Sequence, residues 1–128
     1  MKIAIGADHA GYAAKEELKN VLRALGCVTT DMGPASDVST DYPDYAEKVA
    51  RSVASGENDR GVLICGTGIG MSITANKVHG VRAAVITDPQ TADLSRRHND
   101  ANVFCAGARI TPVSKIAESL KVWIQTPF

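Results

Sequence analysis

The sequence predicts an α/β protein, a three-layer α/β/α sandwich built on a five-stranded parallel sheet. Three observations predict it. Short β-branched or apolar runs alternate five times with longer stretches of helical period, the pattern of strands joined by crossover helices. Polar, glycine-containing segments follow the first, third and fifth runs. The chain has 128 residues, 45% of them hydrophobic, which suits one domain burying about two thirds of the surface its unfolded form exposes.

The first strand is expected over residues 2–6, followed by a helix over 12–25 with Ala14, Leu18, Val21, Leu22 and Leu25 on one face and Gly26 as its stop. The second strand spans 27–32. After Gly33 and Pro34 the chain reaches Asp41, a cap for a helix that carries Tyr45, Val49 and Val53 and closes at Gly56. The third strand is 61–65, the fourth 82–87 and the fifth 103–106. Helices are expected over 71–77, 91–97 and 112–124, and Pro112 suits a first helical turn. Right-handed crossovers bring every strand's carboxyl end to one edge, in a Rossmann-like arrangement where ligands bind.

Fourteen basic and fourteen acidic residues cancel, and no dense Lys/Arg block occurs, so neither nucleic-acid nor membrane binding is expected. No apolar stretch approaches the roughly 20 residues that span a bilayer. Cys27, Cys65 and Cys105 are odd in number and lack paired short spacing, which argues against a disulfide framework or zinc knuckle and fits a reducing, cytoplasmic setting. Cys27 and Cys105, in predicted strands, read as small buried hydrophobes. His79 reads as turn surface, and Trp123, with Ile116 and Leu120, as core or dimer contact.

The run Cys65-Gly66-Thr67-Gly68-Ile69-Gly70-Met71-Ser72 places a thiol where a strand gives way to a glycine-rich turn. Successive N–H groups there can face one concavity, and a helix starting near Met71 would add its positive end. Such a field lowers a thiol below its reference value of about 8.5, making Cys65 a candidate base or nucleophile. Rival loops fail on spelling. No lysine lies between Cys65 and Lys77, as a nucleotide phosphate loop requires, and Met71 stands both where a dinucleotide fingerprint needs its third glycine and where a cysteine phosphatase needs its arginine. A buried cysteine before a tight turn is the plain alternative.

Asp8 and His9 follow the first strand, where a carboxylate can hold sugar hydroxyls and an imidazole can meet phosphate or carry a proton; helix-cap duty is the alternative for Asp8. Arg96-Arg97-His98-Asn99-Asp100-Ala101-Asn102 gathers cations, imidazole and amides at a helix end, and a solvated last turn is its alternative.

Together, Ile5-Gly6-Ala7-Asp8-His9-Ala10-Gly11, Thr40-Asp41-Tyr42-Pro43, the Cys65 loop through Gly70, Ala75-Asn76-Lys77, His98-Asn99-Asp100-Ala101-Asn102 and Gly107-Ala108-Arg109 resemble the type B ribose-5-phosphate isomerases and the related galactose-6-phosphate isomerase subunits. The match runs in family order over the whole chain. It implies an aldose–ketose interconversion of ribose 5-phosphate and ribulose 5-phosphate through an enediolate, with no metal or cofactor.

By this resemblance Cys65 is the base, with main-chain donors of Gly66, Thr67, Gly68, Ile69 and Gly70 receiving the oxyanion; His98 protonates the ring oxygen and Thr67 assists. Asp8 and Asn99 hold the sugar, and His9 and Arg109 bind the phosphate. The family forms dimers or tetramers in which His98 and Asn99 serve a neighbour's Cys65. Retention of both Cys65 and His98 favours the pentose substrate over galactose 6-phosphate, with allose 6-phosphate as a further candidate and a noncatalytic phosphosugar-binding module as the other class. Family members continue past the position of Phe128 into a basic helix that completes phosphate binding. The expectation is therefore a single domain over 1–128 lacking that helix, either truncated or with a weaker phosphate grip.

Overall fold

The chain alternates strand and helix throughout: β1 (Lys2–Ala7), α1 (Tyr12–Ala24), β2 (Val28–Asp31), α2 (Pro43–Ala54), β3 (Arg60–Cys65), α3 (Ile69–Asn76), β4 (Ala83–Val85), α4 (Pro89–Arg97), β5 (Val103–Gly107) and α5 (Val113–Gln125). This computed structural model describes residues 1–36 and 43–128. Thr40, Asp41 and Tyr42, including the helix cap expected at Asp41, lie outside the described residues.

The sheet order is β2-β1-β3-β5-β4 and each pairing is parallel. Alternate side chains divide between its faces, as the pleat dictates. Ile3, Ile5, Val62, Ile64, Phe104 and Ala106 pack with Leu18 and Leu22 of α1, Ala92 of α4, and Ile116, Leu120 and Trp123 of α5. Ala4, Leu63, Cys65, Val103 and Cys105 pack on the other face with Val49 and Val53 of α2 and Met71 and Ala75 of α3. Helices must fall on these two sides because crossovers travelling in opposite directions along the sheet are all right-handed. β1 sends its crossover one way and β3 the other, so the topological switch point, where ligands bind in such sheets, lies between their carboxyl ends.

Boundaries differ from expectation where a local device overrides the apolar pattern. The third helix begins at Ile69 rather than 71, because Gly68 takes φ 83° as its N-cap and lets the helix start straight from the turn. The fourth strand shortens to Ala83–Val85, because Asp88 caps the next helix early: its carboxylate accepts from Thr91 N–H at 2.7 Å, with Pro89 as the first helical residue. Pro112 stands at the N-cap, one place before the helix it was expected to open. Trp123 is fully buried, edge-on to Phe104 with centroids 5.6 Å apart, which makes it core. Cys105 is also enclosed, whereas Cys27 precedes β2 and is half-buried.

Candidate active site

Three loops meet at the carboxyl edge. The segment after β1 is tied to β3 by Asp8 N–H donating to Ile64 O at 3.2 Å, and Gly11 N–H closes the turn on Asp8 O and Oδ1. The segment after β5 is tied to the Cys65 loop by Ala108 N–H to Cys65 O (2.8 Å) and Arg109 N–H to Gly66 O (3.0 Å). Close approach is possible because the crossing points are glycines: a Cβ on Gly11 would lie 2.3 Å from Ile64 O, and one on Gly107 would lie 2.5 Å from the Thr67 carbonyl carbon. Asp8, His9, Cys65, Thr67 and Arg109 thus share one edge, with His9, Thr67 and Arg109 exposed and the Arg109 side chain running past Gly66.

Cys65 ends β3 with only 6% of its surface exposed, its side chain turned to the face covered by α2 and α3. Gly68 N–H donates to its Sγ at 3.0 Å. The loop therefore wraps one main-chain donor directly onto the sulfur, under the first turn of α3. Ile69 N–H is taken by Thr67 Oγ1 at 3.2 Å, while the N–H groups of Thr67 and Gly70 have no partner among the described residues. The expected cradle of five amides is thereby narrower in this state, since two of them are engaged within the loop itself.

His98 and Asn99 do not join this group. α4 returns from the carboxyl edge to the amino edge, so these two exposed residues stand beside the start of β5. β3, six residues long, separates the edges by about 20 Å at roughly 3.3 Å per residue. Of the chain's three histidines, His79 and His98 lie at the far edge, and His9 shares the edge of Cys65.

Two asparagines of the remaining described matched words serve the scaffold. Asn76 exchanges two hydrogen bonds with the Ala83 backbone, at 2.8 and 2.9 Å, and Asn102 clasps Arg82 N–H and Gly80 O. A cavity of about 510 Å³ lined by Met32, Lys48, Arg51, Ser52, Ser55 and Glu57 lies apart from these loops. Its lining carries neither thiol nor imidazole.

A family model described as Ribose/Galactose Isomerase matches residues 3–128. The chain belongs to the ribose/galactose isomerase family. Among its relatives, ribose-5-phosphate isomerase B of Escherichia coli K12 is 46% identical over 96% of this chain and 83% of its own length. The structure of Clostridium thermocellum ribose-5-phosphate isomerase B superposes with a TM-score of 0.97 at 47% identity, covering all of this chain and 86% of that one. That of Mycoplasma genitalium ribose-5-phosphate isomerase B with bound ribulose 5-phosphate gives 0.94 at 37%, covering 99% and 85%. This member of the family is thus an isomerase by descent, and its α/β sheet is the family's own. Among the described residues no helix is long and apolar enough to cross a membrane.

Two supports escaped the sequence reading. Lys15 is fully buried in α1 and reaches both carboxylate oxygens of Asp31 at 2.9 Å and the Pro34 carbonyl. Its signal was spacing: a lysine three and seven residues before Leu18 and Leu22 occupies a core-facing helix position. The clasp steadies Gly33, whose carbonyl accepts Ala7 N–H at 3.0 Å just before Asp8. The second is Asp100, ion-paired to Arg82 and Arg96 in the turn that carries His98.

Proposed function

We propose that this isomerase interconverts ribose 5-phosphate and ribulose 5-phosphate, with Cys65 as the proton-transferring base. The observation that carries the reading is the sulfur itself, held at the end of the central strand by a main-chain donor, on the edge that also presents Asp8, His9 and Arg109. The Cys65 thiolate removes the C2 proton of the open-chain aldose and returns it to C1, the electron pair passing through an enediolate, while the proton of the C2 hydroxyl passes to the C1 oxygen. Backbone N–H groups of Gly66 to Gly70 receive the oxygen charge, Gly68 N–H and Ile69 N–H exchanging their internal partners for it. One such donor is worth about 3 to 4 kcal/mol in the transition state.

His9 and Arg109 take the phosphate, while Asp8 accepts from the sugar hydroxyls and Thr67 lies beside the reacting carbons. Ring opening needs an acid at the ring oxygen. His98 takes that role from a second copy, with Asn99 holding the sugar, because its own Cys65 stands at the opposite edge. The active species is therefore a homo-oligomer, dimer or tetramer, in the cytoplasm, acting without metal or cofactor.

Cys65→Ala tests the base. Isomerisation is expected to fall below detection while a ribose 5-phosphate titration by calorimetry retains affinity; full turnover in that variant rejects the assignment. Assay over ribose, galactose and allose phosphates fixes the substrate, and binding without turnover of any of them would assign the chain instead to phosphosugar binding alone.

A further inference from the structure

We propose that Asp100 is a positioning residue for His98 and Asn99, locking their turn for use by a neighbouring copy. The role rests on the reading in which His98 serves the other subunit's Cys65. Both side chains are exposed and make no hydrogen bond among the described residues, so their aim is set by the backbone that carries them. That backbone is unusual at the next residue. Among the described residues Asp100 is the one non-glycine with positive φ, 48°, a conformation that costs an ordinary L-residue energy and that glycine would adopt freely.

The surrounding groups hold the unusual conformation in place. Arg96 Nη1 donates to Asp100 Oδ1 at 2.9 Å and to Ala101 O at 2.7 Å, and its Nε donates to Thr126 O at 3.0 Å. Arg82 donates from Nη2 to Oδ2 at 3.2 Å and from Nε to Asp100 O at 2.8 Å. The main chain closes the turn with Asp100 N–H to Arg96 O and Ala101 N–H to Ser95 O. One carboxylate is thereby fixed between two guanidinium groups, one buried on α4 and one at the start of β4. A glycine would satisfy φ without these anchors. The aspartate supplies rigidity where two unsupported side chains must reach across an interface, and misplacement of about an ångström costs about a hundredfold in rate.

The test uses whole enzyme and mixed dimers made by coexpressing two differently tagged chains. Asp100→Ala should lower turnover roughly tenfold or more while circular dichroism stays native, and Arg82→Gln, which spares the buried Arg96 pair, should give a smaller loss in the same direction. Pairing Asp100→Ala with Cys65→Ala should restore about half of wild-type turnover, because one site then joins an intact Cys65 to a His98 on an intact turn. Pairing His98→Ala with Cys65→Ala is the control for the shared site. If the control recovers and the Asp100→Ala pair does not, or if both single variants keep turnover within about twofold of wild type, the positioning role is overturned. If the control itself stays inactive, the shared-site reading falls and takes the role with it. Should Asp100→Ala fail to fold, Arg82→Gln paired with Cys65→Ala gives the same decision.

Discussion

Gly107 has no room for a side chain. A Cβ there would come within 2.6 Å of the Cα, C and O atoms of Thr67, and that backbone can yield only by moving the Cys65 loop. Gly107→Ala is expected to cost about 1 to 3 kcal/mol by overpacking and to depress turnover with it, measured by denaturant titration beside the isomerase assay. Gly70 is the opposite case. Nothing lies within 4 Å of its Cβ position and it sits in the first turn of α3. Gly70→Ala should raise stability by about 0.5 to 1 kcal/mol through helix propensity, while kcat/KM falls because the open space is the proposed substrate's. The sequence pattern marked the glycines at 66, 68 and 70 as a loop. It could not distinguish a glycine required by φ, such as Gly68, from one required by crowding, such as Gly11 or Gly107. Crowding comes from strands distant in sequence.

Elements are held to one another by a few charged clasps. Burial alone would raise the Asp31 carboxyl, but Lys15, Lys19 and the Gly33 N–H outweigh it and keep it below its ordinary value of 3.8. A carboxylate whose folded value is depressed stabilises the fold above its unfolded value, and that contribution is lost as pH falls below about 3.8 toward the folded value. Asp31→Ala leaves the buried Lys15 charge to the Pro34 carbonyl and the Glu16 carboxylate at 3.5 Å and should cost up to about 3 kcal/mol near neutral pH, with a flatter loss of stability on acidification. Denaturant midpoints at a series of pH values check both. Strand and helix order could be read from apolar periodicity because packing on both faces of a parallel sheet enforces it. Ends were less legible, since Gly68 and Asp88 set them through cap chemistry that a window of hydrophobicity does not register. At the other end of the molecule like charges meet: burial and the nearby Arg96 push Arg60 down to about 10, while both guanidinium groups lie against the Trp123 ring.

At the scale of the whole molecule, the sheet separates the proposed base from the proposed ring-opening acid by its own length. On that reading a lone chain holds two half-sites, and specific activity should fall on dilution in step with the loss of oligomer measured by analytical ultracentrifugation. Constant activity in a monomeric population would instead put ring opening on His9. The glycine turn marked Cys65 and strand order gave its edge, while the resemblance supplied the role assigned to His98. The far placement of His98 follows from the direction of α4, which no motif spelling encodes.

The three sulfurs stand in graded seclusion, with consequences for covalent labelling. Cys105 is sealed within the sheet, and burial, with Cys65 nearby, pushes its thiol well up, so an alkylating electrophile leaves it untouched until the protein unfolds. Cys27, half-buried ahead of β2 at the amino edge, should label at the same rate whatever the occupancy of the site. Cys65 keeps 6% of its surface exposed at the carboxyl edge, so on the proposed reading a bound sugar phosphate should slow labelling at that position alone, and peptide mass mapping after an iodoacetamide pulse would report occupancy of the site directly.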